Sequence, residues 1–160
     1  MSLESVIGCV QEWWNRVDAN IDASDLYLFG SSIYRDGLQF DWHRSDLDLV
    51  ALIPESKRTA VDRYEWLVEL AKHKQRLELD LVPLLQRENA GMPAVSLIPL
   101  TTEELRADVH KSKVKHFFAD NEFLNIRTKG LRKGIPRAGD GGNRSPLILQ
   151  GLEYAQELRC

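Results

Sequence analysis

The sequence predicts a two-layer α/β (α+β) domain: a short mixed sheet carrying acidic residues, with helices packed on one face. Three observations predict it. Short strand-like runs at 26–29 and 47–53 alternate with amphipathic helical stretches at about 3–17 and 57–73. The 160 residues are enough for one domain with a real core. The 43% hydrophobic and 28% charged residues match an ordinary globular chain and exclude wholesale disorder.

Each element has its own signal. Leu3, Val6, Ile7, Val10, Trp13, Trp14 and Val17 recur at helical spacing, which predicts a first helix that buries both tryptophans. Asp18 to Ser24 is a polar connector. Leu26-Tyr27-Leu28-Phe29 reads as a strand stopped by Gly30-Ser31-Ser32, and 35–45 reads as a loop. Leu47 to Ile53 is the second strand, closed by Pro54. Ser56 is expected to cap a helix over 57–73 that buries Ala60, Tyr64, Leu67, Val68 and Ala71. Arg76 to Val82 alternates strictly and is expected to be a half-buried strand, with Glu78 and Asp80 on one face and Pro83 at its end. A further strand is expected at Ala94–Ile98, then a Thr-capped helix over 102–110 and a helical piece ending near Phe118.

The first 125 residues are read as the core domain, 126–145 as a basic Gly-rich linker, and 146–160 as a terminal helix. Lys129, Arg132, Lys133 and Arg137 stand among glycines in that linker. Ser145-Pro146 starts the last helix, whose Ile148, Leu149, Leu152 and Ala155 need a surface: the core, a partner protein or a following domain. Residues 126–160 carry seven Lys/Arg against three acids, so within a net charge of −3 the rest of the chain sums to −7. An acidic body with a basic tail does not coat nucleic acid generally, although the tail suits local phosphate contacts. No membrane-spanning run and no basic leader is visible. The two cysteines, Cys9 and Cys160, form no disulfide framework, so a cytoplasmic setting is expected.

The chemistry-bearing residues are Gly30-Ser31, Asp46-Leu47-Asp48 and Asp80. On a strand Asp46 and Asp48 project to one side, about 6–7 Å apart. An adjacent strand bringing Asp80 to that side would complete three carboxylates. Crowded anions need divalent cations, and hard oxygen ligands suit Mg²⁺, with Mn²⁺ as the alternative ion. Two such ions would support an in-line phosphoryl displacement, and a turn without bulk lets backbone N–H groups and a hydroxyl approach phosphates. A haloacid-dehalogenase-type phosphatase also uses Asp-x-Asp, but at the C-terminal end of a strand, whereas Asp46 and Asp48 open theirs. The histidines (His43, His73, His110, His116) show no ligand spacing. Surface or helix-end positions account for them, and His43, just before Asp46, is the one to test for catalysis; Glu78 reads as a solvated strand residue or a metal neighbour. No serine-hydrolase elbow, Walker loop or Rossmann glycine pattern is present.

Phe29-Gly30-Ser31, Ser45-Asp46-Leu47-Asp48-Leu49 and Leu79-Asp80-Leu81-Val82-Pro83 together resemble the nucleotidyltransferase superfamily of DNA polymerase β type. The nearest branches are the bacterial oligonucleotide synthases or the minimal nucleotidyltransferases. The resemblance covers 26–83, with fourteen residues between Ser31 and Asp46 forming an enlarged loop. It implies that Gly30 and Ser31 contact nucleotide phosphates. Asp46 and Asp48 would bind a two-ion Mg²⁺ site, and Asp80 would complete it and help activate the acceptor. The function implied is transfer of a nucleoside monophosphate from an NTP such as ATP to an acceptor hydroxyl (on a nucleotide, RNA, protein or small molecule) with pyrophosphate release, in a defence or toxin–antitoxin context. The alternative is a catalytically silent module that keeps the fold, senses nucleotide and docks a partner.

Overall fold

A computed structural model describes residues 2–85, 92–108, 116–134, 151 and 154–156. Helix α1 (Leu3–Ile21) starts at Ser2, whose side chain accepts a hydrogen bond from the Ser5 backbone N–H. Val6, Val10, Trp13, Trp14 and Val17 are buried on one stripe, as the periodicity predicts. Both indoles also find acceptors: Trp13 donates to the His73 carbonyl at 2.8 Å and Trp14 to that of Ser24 at 3.2 Å. Strand β1 (Leu26–Phe29) is buried throughout, and β2 (Leu47–Leu52) runs antiparallel to it, with Phe29 opposite Asp48.

Helix α2 (Ala60–Leu81) corrects three expectations at once. Its cap is Thr59 rather than Ser56. Thr59 Oγ1 accepts from the Asp62 N–H, and the Asp62 carboxylate accepts from the Thr59 N–H. Ser56 instead donates to Asp22 at 2.7 Å. The helix runs through 76–82, so the alternating segment is no strand. The cause is that Leu77 and Leu81 continue the i, i+4 stripe of Trp66 and Leu70, without Gly or Pro to interrupt it. Lys74–Glu78 and Arg76–Asp80 ion pairs at i, i+4 add to this, and Leu79 is left 68% exposed. The buried face is therefore Trp66, Leu70, Leu77 and Leu81, while Ala60, Tyr64, Val68 and Ala71, expected in the core, face outward.

Strand β3 (Val95–Leu100) lies parallel to β2, and α2 is the crossover between them. Glu78 holds its start: the carboxylate accepts the Ala94 N–H at 2.6 Å and the Val95 N–H at 3.2 Å. Glu78 is thus an anchor for the strand rather than a metal neighbour. Glu78→Ala is expected to lower stability by about 1–3 kcal/mol by orphaning two part-buried N–H groups; chemical denaturation checks this. Helix α3 (Thr102–Ala107) has the expected Thr cap, with Thr101 and Glu104 forming a reciprocal pair.

Helix α4 (Phe117–Asp120) starts near Phe118 instead of ending there. Strands β4 (Glu122–Asn125) and β5 (Gly130–Lys133) form a hairpin, so 126–133 belongs to the sheet and not to a linker. Asn125 Oδ1 accepts the N–H groups of Arg127 and Thr128, and Lys129 takes a left-handed φ of 55°. Arg137, Ser145-Pro146 and most of the expected last helix lie outside the described residues, although Gly151 and Tyr154–Gln156 are helical. The mixed sheet has the order β3-β2-β1-β4-β5, and the domain is α+β. Among the described residues no helix is long and apolar enough to cross a membrane.

Candidate active site

Strand β1 stops at Phe29 because Gly30 takes a left-handed φ of 76° and turns the chain into a 3-10 turn over Gly30–Ser32. Ser32 is buried and donates its hydroxyl to the Phe29 carbonyl, and Ile33 N–H donates to the Gly30 carbonyl, both at 3.1 Å. Ser32 therefore braces the turn, and Ser31, half-buried, is the serine at its rim. A Cβ on Gly30 would lie 2.5 Å from Asp48 Oδ2. Only glycine lets the turn approach the carboxylate this closely.

The enlarged loop is folded back on this turn. Arg35, Asp36 and Gly37 all have positive φ, and a Cβ on Gly37 would meet the Ser32 carbonyl at 2.9 Å. Phe40 is buried and packs edge-on against Trp42 at 5.2 Å. A tight turn then delivers Asp46: Ser45 N–H donates to the Asp41 carbonyl at 2.8 Å, and Asp41 N–H to Ser45 Oγ at 3.0 Å. His43 is exposed within that turn, with its N–H on Asp41 Oδ1. Sequence reasoning missed Asp41 and Ser45, whose four-residue spacing is the signal for such a closure.

Asp46 and Asp48 are both half-buried at the N-terminal end of β2. Asp48 pairs with Phe29 on one side and with Ser96 on the other. The neighbouring-strand position expected to hold a third carboxylate thus holds a serine, a third residue that sequence reasoning missed. Asp80 is elsewhere. It sits on α2, paired with Arg16 of α1 at 3.4 Å and Arg76 at 3.3 Å. After burial itself, its charge is the next cause pushing the Cys9 thiol pKa up, which places it beside α1. Among the described residues no group of three or more His, Cys, Asp or Glu is gathered for a metal ion. Asp80→Asn is expected to cost less than about 1 kcal/mol, as a partly exposed pair should, and to leave turnover within a small factor of wild type in a pyrophosphate-release assay.

On β1, two residues before Phe29, burial first and then the Asp25 charge push the Tyr27 phenol up to about 12. At the sheet's far edge, Lys129, Arg132 and Lys133 are exposed on the β4–β5 hairpin. Two half-buried carboxylates beside a glycine turn supply hard oxygen donors of the kind Mg²⁺ takes, one or two carboxylates being completed by water and phosphate oxygens.

The model of a family described as Pol beta superfamily nucleotidyltransferase in conflict systems matches residues 9–160. That span contains every residue of the site described above. No curated protein and no solved structure matches the chain.

Proposed function

The chain belongs to this family of Pol beta superfamily nucleotidyltransferases in conflict systems, and from that premise we propose that it transfers a nucleoside monophosphate from an NTP to an acceptor hydroxyl at the Gly30–Asp48 junction. The observation that carries the proposal is the fit of Gly30 against Asp48, where a Cβ would lie 2.5 Å from the carboxylate. It holds the backbone of the turn directly against a carboxylate of the metal-binding type.

In this reading the triphosphate rests on the turn. The Ser31 hydroxyl and the turn's N–H groups receive it, because the Ser32 hydroxyl is committed to Phe29. Asp46 and Asp48 are the residues that would hold Mg²⁺, which when bound would neutralise phosphate charge and favour ionisation of the acceptor. The acceptor oxygen forms a bond to the α-phosphorus as the bond to pyrophosphate breaks, and the hydroxyl proton passes to solvent water. Asp46 and Asp48, beyond holding charge, orient the reacting phosphate by the rigidity of β2, which is hydrogen-bonded on both edges. Membership of a conflict-system family supports a defence or toxin–antitoxin setting.

Ser96, at the neighbouring-strand position beside Asp48, favours a second reading, a nucleotide-sensing module without turnover. Incubation with labelled NTPs and Mg²⁺ separates the two. Pyrophosphate release, raised by nucleotide, RNA or protein acceptors, supports transfer. Saturable NTP binding without release under all of these conditions supports the sensor.

A further inference from the structure

Helix α2 is apolar on two sides. Its core stripe is buried, yet Val61, Tyr64, Val68 and Leu79 are 64%, 68%, 37% and 68% exposed. At 3.6 residues per turn these four fall on one stripe opposite the buried one, with Ala71 and Gln75 between them. Single exposed apolar residues are ordinary, but a stripe along a 22-residue helix is the pattern of a helix that meets another surface.

The charges beside it indicate which surface. Along one flank stand Glu65, Glu69, Lys72 and Arg76, at i, i+4, i+7 and i+11. The order is two negative, then two positive. Turning such a helix end for end about its centre places each acid against a base. We propose that α2 pairs antiparallel with α2 of a second copy, Glu65 meeting the partner's Arg76 and Glu69 the partner's Lys72 across a seam of Val61, Tyr64, Val68 and Leu79. Antiparallel helices bring the same flank of each together, as this requires. The exchange leaves no orphan at Asp80: within one chain Lys72 lies 2.6 Å from Glu69 and Arg76 3.3 Å from Asp80, and Asp80 keeps Arg16 when Arg76 turns to the partner. An unrelated acidic or basic partner would match only half of the flank. The pairing surface is away from Gly30 and β2, so it stands independently of the catalytic reading.

Sedimentation from micromolar to submillimolar protein tests this. The wild type is expected to shift from the 18.3 kDa of one chain toward twice that mass as concentration rises. The variants E65K/E69K and K72E/R76E, with helical content checked by circular dichroism, are each expected to stay monomeric, and an equimolar mixture of the two to recover the doubled mass. A wild type that stays at one chain's mass throughout overturns the proposal. So does a dimer that either variant retains, or a mixture that remains monomeric.

Discussion

Asp48→Asn is expected to abolish nucleotidyl transfer, with a loss of at least about a hundredfold, while the protein stays folded. The charge of a carboxylate on a divalent ion contributes several kcal/mol to a phosphoryl-transfer transition state, and each 1.36 kcal/mol is tenfold in rate. The amide keeps the shape and one acceptor oxygen, so the turn packed against it has no steric reason to move. Asp46 and Asp48 lie at i, i+2 at the start of β2, both half-buried, so neutralising one also relieves repulsion between two anions. The thermal midpoint should therefore hold or rise slightly. Asp46→Asn is expected to behave alike. Pyrophosphate release and thermal unfolding on the same preparations provide the check, and near-wild-type turnover in either variant would falsify the site assignment.

The contrast with Asp80 shows what a linear reading recovers. Leu26–Phe29 and Leu47–Leu52 are short, apolar, and bounded by glycine, serine or proline, so period and punctuation agree. The Gly-Ser turn and the paired acids therefore fall where they were expected. Between 76 and 82 two periods fit the same residues. Strict alternation of Leu77, Leu79 and Leu81 suggests a strand, but Leu77 and Leu81 alone also extend a helical stripe begun at Trp66. The longer pattern wins because sixteen residues of helix already precede it, and extending a formed helix is easier than nucleating a new element. Once 76–82 is helical, Asp80 leaves the sheet and Ser96 takes the position next to Asp48. Which strand neighbours β2 is a tertiary fact that no local pattern of 76–82 encodes. The β4–β5 hairpin was missed for another reason. Its Lys129-Gly130 looks like linker composition, whereas the Asn125 side chain, holding two backbone N–H groups, makes it a turn.

The tightest link between backbone and chemistry is Gly30, and Gly30→Ala is expected to reduce turnover at least about a hundredfold with only a modest loss of stability. Two effects combine. An alanine at φ 76° occupies the left-handed region, at a cost of about 1–2 kcal/mol. Its Cβ would also stand 2.5 Å from Asp48 Oδ2, so either the carboxylate or the turn must retreat. Asp48 sits on a strand paired on both edges, so its backbone does not yield, and the side chain must swing away from the position that serves the nucleotide. A displacement on the order of 1 Å at a catalytic group is enough for a hundredfold loss. Gly134→Ala separates strain from site chemistry. Gly134 has φ 77°, and its Cβ would meet the Ala119 backbone carbonyl at 2.8 Å, a clash on the β4–β5 side of the sheet that no side chain can relieve. Gly134→Ala should therefore lose at least as much stability as Gly30→Ala, at about 2–4 °C in thermal midpoint per kcal/mol for a chain of this size. Only Gly30→Ala should lose turnover. Equal activity in the two, measured at a temperature where both are folded, would mean that the approach of Gly30 to Asp48 is a packing detail and not the seat of the chemistry.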